Sequence, residues 1–224
     1  MGRYLKVIAD EPPAEAVGLD LSLAVNRAYE ENRGNPFIHV VQGDLLRLPL
    51  RPASFDHVYS IGVLHHTPST ERAFRAIAKL VKPSGRLSVW VYHVWRVPGL
   101  KGLKAIHAAA RGAIADGLRL ITTRLPHPVL HGLCYVAVPL GWIQLRINRA
   151  PTAIKLLLSP LSLIPCSTHP DWWVRLLDTF DWYSPRYQWK HTVEEVAGWF
   201  RDEEFEEIST EGPPVNLRGR RPAS

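Results

Sequence analysis

Residues 1–22 read MGRYLKVIADEPPAEAVGLDLS. The first ten predict a helix over 2–10, and the run that closes on Asp20 predicts a strand over 15–20. Ser22 then opens a second helix over 23–32, because a serine hydroxyl there can accept a hydrogen bond from a free amide of the first turn. In parallel α/β sheets that bind nucleotides, an acid at a strand end follows a glycine-rich turn by about 20 residues, and that turn follows a strand. Here the turn is represented by Gly2 alone, with no strand before it.

Outward from this stretch, helices and strands alternate as far as residue 92. Strands are predicted over 38–42 and 55–61. Thr67-Pro68 opens a helix to residue 81, since Thr caps well and Pro at the first helical position loses no hydrogen bond. KPSG at 82–85 stops it, and RLSVWVY at 86–92 reads as a strand buried on both faces. Such units build a parallel sheet with helices on both sides. In the tail, Thr192 and Glu195 form a capping box that opens a helix to residue 201. Two short strands at 205–208 and 215–218 follow, close enough to form an antiparallel hairpin at the sheet edge.

The middle of the chain has another character. Between residues 93 and 160 stand nine Lys and Arg against one acid, Asp116, a net charge of +8, so the rest of the chain carries −2. Leu103, Ile106, Ala110, Ile114, Leu118 and Ile121 recur at helical spacing with Lys104, Arg111 and Arg119 on the other face, which predicts a basic amphipathic helix. Residues 129–145, VLHGLCYVAVPLGWIQL, hold 17 uncharged positions. A bilayer span needs about 20, so a buried cap helix or an interfacial helix is expected. Three segments follow: a core part at 1–92, a helical insertion at 93–180, and a second core part at 181–224. The chain's only two cysteines, Cys134 and Cys166, have neither the spacing nor the neighbours of a disulfide framework or a zinc site, and no metal is expected. No secretion or lipidation signal is legible, so a cytoplasmic location is expected, with a peripheral place at the membrane.

Ligands of open parallel sheets bind at the carboxyl ends of the strands. Asp20, with Leu21 beside it, can accept hydrogen bonds from the vicinal hydroxyls of a ribose; a helix-start acid held by the dipole is the plainer alternative. Asp44 and Leu45 can take an adenine amine and ring face, or Asp44 can simply cap a turn. Ser60, Ile61 and Gly62 end the third strand, where glycine allows close approach of a ligand to the backbone. His65 and His66 follow at once, placed either for proton transfer or for bonding the next helix start.

AVGLDLS, VVQGDLLRLPL, SFDHVYSIGVLHHTPS, AFRAIAKLVKPSGRLSVWVY and HTVEEVAGWFRDEEFEEI together resemble class I S-adenosylmethionine-dependent methyltransferases of the type 11 family. The similarity covers residues 1–92 and about 190–220. It implies a Rossmann-like sheet and S-adenosyl-L-methionine as cofactor. By that resemblance Asp20 holds the ribose, Asp44 with Leu45 the adenine, and Ser60 to Gly62 the methionine end. Gly2, Arg3 and Tyr4 match only the tail of the family's glycine loop. In that family a central strand separates the strand ending at Asp20 from the one ending at Ile61. Its loss forfeits on the order of 10 kcal/mol of burial, comparable with a domain's whole stability. The expectation is therefore an N-terminally shortened chain whose reading frame starts upstream.

His65 or His66 is then the candidate general base. Tyr183, Arg186, Trp189 and His191 suit a small-molecule or lipid-linked acceptor bearing a negative group, with a packed aromatic joint as the alternative. Basic residues that alternate with apolar stretches fit an anionic membrane surface, contacted through residues 93–160, better than nucleic acid, for which no role is expected. Two rival functions are a nicotinamide-dependent oxidoreductase and a catalytically silent, shortened chain that binds a membrane or partner.

Overall fold

The computed structural model describes residues 5, 15–94, 101–210 and 215–223, without the side chains of 104, 153 and 156. The expected helix over 2–10 lies outside these residues except for Leu5. The chain divides into two compact units, one made of Met1–Val91 with Thr192–Ser224 and the other of Tyr92–His191. Residues 181–191, assigned to the core from sequence, thus group with the helical unit.

In the first unit β1 (Ala16–Asp20) and β2 (Ile38–Gln42) run parallel, in register from Ala16 opposite Ile38 to Asp20 opposite Gln42, joined through α1 (Ala24–Asn32). A second sheet has the order β3-β4-β6-β5. Within it β3 (Phe55–Ile61) and β4 (Val81–Val91) are parallel and joined through α2 (Thr70–Ala78). β6 (Val215–Arg220) runs antiparallel to β4, and β5 (Glu206–Thr210) antiparallel to β6, which gives the expected hairpin at the sheet edge. The core lies on this second sheet, where Leu64, Phe74, Leu87, Val196, Phe200 and Leu217 are fully enclosed. Among the described residues no strand separates β1 from β3, so each has one hydrogen-bonded neighbour.

Two boundaries differ from the expected ones. The second helix is capped by Ser69, whose hydroxyl accepts from Arg72 N, while Thr67 closes the preceding turn by donating to Leu64 O at 2.7 Å. β4 starts at Val81 rather than at 86, because KPSG forms a bulge: pairing jumps from Phe55–Val81 to His57–Arg86. Ser84 there has φ 62°, and a Cβ on Gly85 would come within 2.9 Å of Lys82 O. The capping box on the last helix is present, with Thr192 Oγ1 accepting from Glu195 N at 3.1 Å.

The second unit contains α3 (Leu103–Thr122), α4 (His127–Arg149), α5 (Thr152–Leu157) and α6 (Trp172–Tyr183). Leu130, Cys134, Val138, Leu176 and Tyr183 form its apolar core. Polar groups are buried beside it. Arg175, 2% exposed, donates to the carbonyls of Val138, His169 and Pro170, and Gln144 donates to Leu161 O and Ile164 O. The helix expected around 103–121 is present, with its two faces the reverse of those of a helix packed by its apolar side. Leu103, Ile106, Leu118 and Ile121 are exposed, whereas Arg119 is 9% exposed and donates to Trp182 O and Pro185 O, and half-buried Arg111 donates to Ser162 O. The reason is satisfaction of carbonyls at helix ends: the last turns of α6 and of the short turn at Ser159–Leu163 leave acceptors open, and a long guanidinium reaches them.

Both cysteines are free and buried. Burial pushes the Cys166 thiol up from 9.0 to about 11. At pH 8, below either value, that rise cuts the reactive thiolate fraction on the order of a hundredfold. Iodoacetamide is therefore expected to label Cys166 of the native protein on the order of a hundredfold more slowly than an open thiol, as followed by mass spectrometry. Labelling at the open-thiol rate would show that the packing around Cys166 opens.

Candidate functional site

The parallel pairing of β1 with β2 brings Asp20 and Asp44 to adjacent strand ends. Gly43 N donates to Asp20 O at 3.0 Å, and Gln42 Nε2 to Leu21 O at 3.1 Å, which ties the two ends together. Each carboxylate uses one oxygen locally. Asp20 Oδ1 accepts from Ser22 N and Ser22 Oγ, both at 2.8 Å, and Ser22 Oγ in turn accepts from Ala24 N; the helix begins at Ala24 with Leu23 in the cap position, so the expected Ser22 stands one residue before the cap and is held by the acid. Asp44 Oδ1 accepts from Leu46 N at 2.8 Å and so caps a short turn at Leu45–Arg47. The turn-capping alternative thus accounts for one oxygen of each acid. Among the described residues none bonds Oδ2 of either acid.

A cavity of about 270 Å³ separates the unpaired edges of β1 and β3. Asp20 and Leu45 line it at one end and Ser60, Ile61 and Val63 along β3, with Leu5 also in its wall. Leu21 is solvent-exposed. Gly62, with φ 75°, takes a conformation that only glycine adopts without strain, and its N–H donates to Trp90 O at 3.0 Å. His65 is completely enclosed, its ring centroid 4.1 Å from that of His66 and 6.0 Å from that of Trp90; His66 is half-buried. Of the two imidazoles, only His66 has surface to offer a substrate. Gly2, Arg3 and Tyr4 lie outside the described residues.

Sequence reasoning missed His57, which also lines this cavity and pairs with Ser88 Oγ at 3.0 Å. Burial, and then the charge of Arg86, lower its pKa. Its place on the strand that ends at Ile61 was legible; its place in the cavity wall was not.

The four expected acceptor residues do not converge. Tyr183 is buried, its hydroxyl donating to Pro165 O, and lines a second cavity of about 260 Å³ inside the helical unit. Arg186 lies over the Tyr187 ring, and Trp189 stacks on that ring with its own face half open to solvent. His191 is buried in a backbone bridge with His93. The cavity's wall includes instead Tyr92, Arg119, Trp182, Gln188 and Lys190. Burial, followed by the charges of Asp181 and Asp178, raises the Tyr92 phenol to about 12. Burial lowers the Arg119 pKa from its ordinary value, and Lys190 is paired with Asp116 at 3.1 Å. The wall is thus apolar and aromatic with two cations. Tyr92, which ends the apolar run of β4, and Lys190, in the aromatic stretch before residue 192, were the signals available in sequence.

Comparison with known proteins agrees with this geometry. The pattern of the methyltransferase domain family matches residues 1–89. The chain is 30% identical over 129 residues to 24-methylenesterol C-methyltransferase 2 of Oryza sativa subsp. japonica, covering 53% of this chain and 35% of that protein. It is 35% identical over 99 residues to probable tRNA methyltransferase 9B of Mus musculus, covering 41% and 20% respectively. It is 31% identical over 97 residues to phosphoethanolamine N-methyltransferase 2 of Caenorhabditis elegans, covering 41% and 22%. The chain thus spans between a fifth and about a third of these relatives' lengths. Over residues 1–89 the chain is thus similar to methyltransferase domains. The nicotinamide reading of Asp20 gains no support from these matches.

Proposed function

We propose that this protein carries out methyl transfer from S-adenosyl-L-methionine to a small, amphipathic or lipid-linked acceptor. The observation that carries the reading is the pair of carboxylates on adjacent parallel strand ends, of which Asp20 lines one cavity with Ser60 and Ile61 of β3. These residues fit the cofactor. Asp20 offers an acceptor to the ribose hydroxyls, Asp44 one to the adenine amine, and the Ser60 to Gly62 backbone a close approach for the methionine end. Bound there, S-adenosylmethionine supplies a methyl group on a sulfonium, ready for in-line displacement. The chain's own part is alignment, which can contribute about 7 to 11 kcal/mol. Half-buried His66 is the group for accepting a proton from a hydroxyl acceptor.

Within the helical unit, the second cavity, with its aromatic wall and two cations, Arg119 and Lys190, suits a bound apolar body with an anionic group. Relatives named for sterol and phosphoethanolamine methylation are in keeping with a small acceptor. Isothermal titration with S-adenosylmethionine tests the cofactor half. Saturable binding is expected. Asp20→Asn keeps an oxygen for Ser22 but removes the charged acceptor. A charge-assisted hydrogen bond of about 1.5 to 3 kcal/mol then predicts a dissociation constant raised roughly 10- to 150-fold. Equal affinities of the two proteins would remove Asp20 from the site.

A further inference from the structure

The helical unit is built inside out. Among the described residues 25 large hydrophobic side chains are exposed, and 19 of them belong to Tyr92–His191. On α4 the exposed side chains include Val129, Leu133, Tyr135, Val136, Trp142 and Ile143, with Val136 75% exposed. At about 100° per residue they cover roughly half the helix circumference. No Asp, Glu, Lys or Arg occurs from residue 125 to residue 145. The opposite face is packed through Leu130, Cys134 and Val138. A helix exposed to water puts polar residues outward, and one apolar all round is meant for a nonpolar medium. On α3 the reversal already described repeats the pattern, with Ile106 66% exposed and Arg119 buried.

Two more observations name the medium. Tyr135, Trp172 and Trp173 form an exposed aromatic cluster, with ring centroids 5.9 Å and 4.2 Å apart in succession. Indole and phenol rings favour the membrane–water boundary. The unit also carries 12 Lys and Arg against 4 acids, or +8, while the rest of the chain has 15 against 17, or −2. Exposed Lys101, Arg124, Arg146 and Arg149 stand at or just beyond the ends of α3 and α4, with Arg146 over the Trp142 ring at the end of the apolar face of α4.

We infer that Tyr92–His191 is a monotopic membrane-docking unit: α4 and the Tyr135–Trp172–Trp173 cluster seat on the surface of an anionic phospholipid bilayer, with the flanking cations among the headgroups. The helix lies along the interface. Its 23 residues could cross a bilayer by length and composition, but its other face is committed to Arg175, which bonds Val138 O, and its Gln144 to Leu161 O and Ile164 O. A spanning pose would strip those groups of partners in hydrocarbon, which is costly. A second copy is a poorer occupant, since it would bring like-charged rims together. The inference goes beyond the methyl-transfer reading and does not depend on it.

Flotation of the full chain with phosphatidylcholine vesicles containing roughly one third phosphatidylglycerol, against pure phosphatidylcholine, is the test. The protein is expected to float with the anionic vesicles and to be released by salt. The variant L133S/V136S/W173S replaces only exposed side chains, and should bind at least about tenfold less with an unchanged circular dichroism spectrum. A wild-type protein that stays unbound with both vesicles, or a triple variant that floats as well as wild type, overturns the inference. So does a soluble dimer that the triple variant converts to monomer, which would give the face to a second copy. Titration with S-adenosylmethionine on the same preparations keeps the readings apart: cofactor binding without flotation refutes the docking unit alone, and flotation without cofactor binding refutes only the proposed activity.

Discussion

Gly141→Ala lowers the melting midpoint by on the order of 10 °C, while Gly132→Ala on the same helix leaves it unchanged or raises it. A Cβ at Gly141 would stand 2.2 Å from Ser167 O and 2.7 Å from Arg175 Cδ, whereas nothing lies within 4 Å of one at Gly132. The backbone oxygen cannot give way alone, and Arg175 is held by carbonyls on three residues. Overpacking of this kind costs about 1 to 3 kcal/mol, and displacing a buried guanidinium from its acceptors adds to that. At Gly132 the substitution recovers helix propensity of up to about 1 kcal/mol. Differential scanning calorimetry of both variants decides it: equal midpoints would show that α4 does not approach residue 167 so closely.

Amide exchange in deuterated water is expected to run at least about a hundredfold faster in β1 and β2 than in β3 and β4. A two-stranded sheet is marginal unless it packs on something. Buried residues of β1, α1 and β2 are few, Ala16, Val25, Ala28 and Asn32, whereas β3 and β4 lie in a sheet with fully enclosed Leu87, Val89 and Val91. Val17 and Leu19 face the cavity beside β1, and among the described residues no strand pairs with that edge. Peptide-resolved mass spectrometry measures the contrast. Uniform protection across both sheets would mean that they open as one cooperative body, and a rise in β1 and β2 protection on adding S-adenosylmethionine would support the site assigned to Asp20 and Asp44.

Alternation of strands and helices and the terminal hairpin were legible because each depends on local pattern: β-formers closing near Asp20 and Asp44, a capping box at Thr192, and an apolar run in β4, of which Leu87, Val89 and Val91 are buried while Arg86 is exposed and Ser88 and Trp90 are half-buried, so the expected burial on both faces is not found. Thr67 was misread as a cap because Ser69, two residues on, competes for the same helix, and spacing alone does not choose between them. The inward face of α3 was not legible, because periodicity reports that a helix is two-sided without saying which side meets protein; the carbonyls that draw in Arg111 and Arg119 lie 51 to 66 residues away in sequence. The acceptor residues were dispersed for a similar reason. Residues 184–190 follow the helix as irregular chain, so near neighbours in sequence such as Tyr183 and Trp189 end up in different surroundings.

The bridge between His93 and His191 has a consequence for how this chain can be assembled from parts. His191 N donates to Tyr92 O at 2.8 Å and Val94 N to His191 O at 3.2 Å, so the strands entering and leaving the helical unit are clasped side by side. A stem of that kind makes the stretch between its two sides interchangeable: a longer, shorter or altogether different excursion can be hung from the same two backbone positions without breaking either of those hydrogen bonds. What lies between residues 94 and 191 can therefore be rewritten while the backbone pairing at its ends is kept.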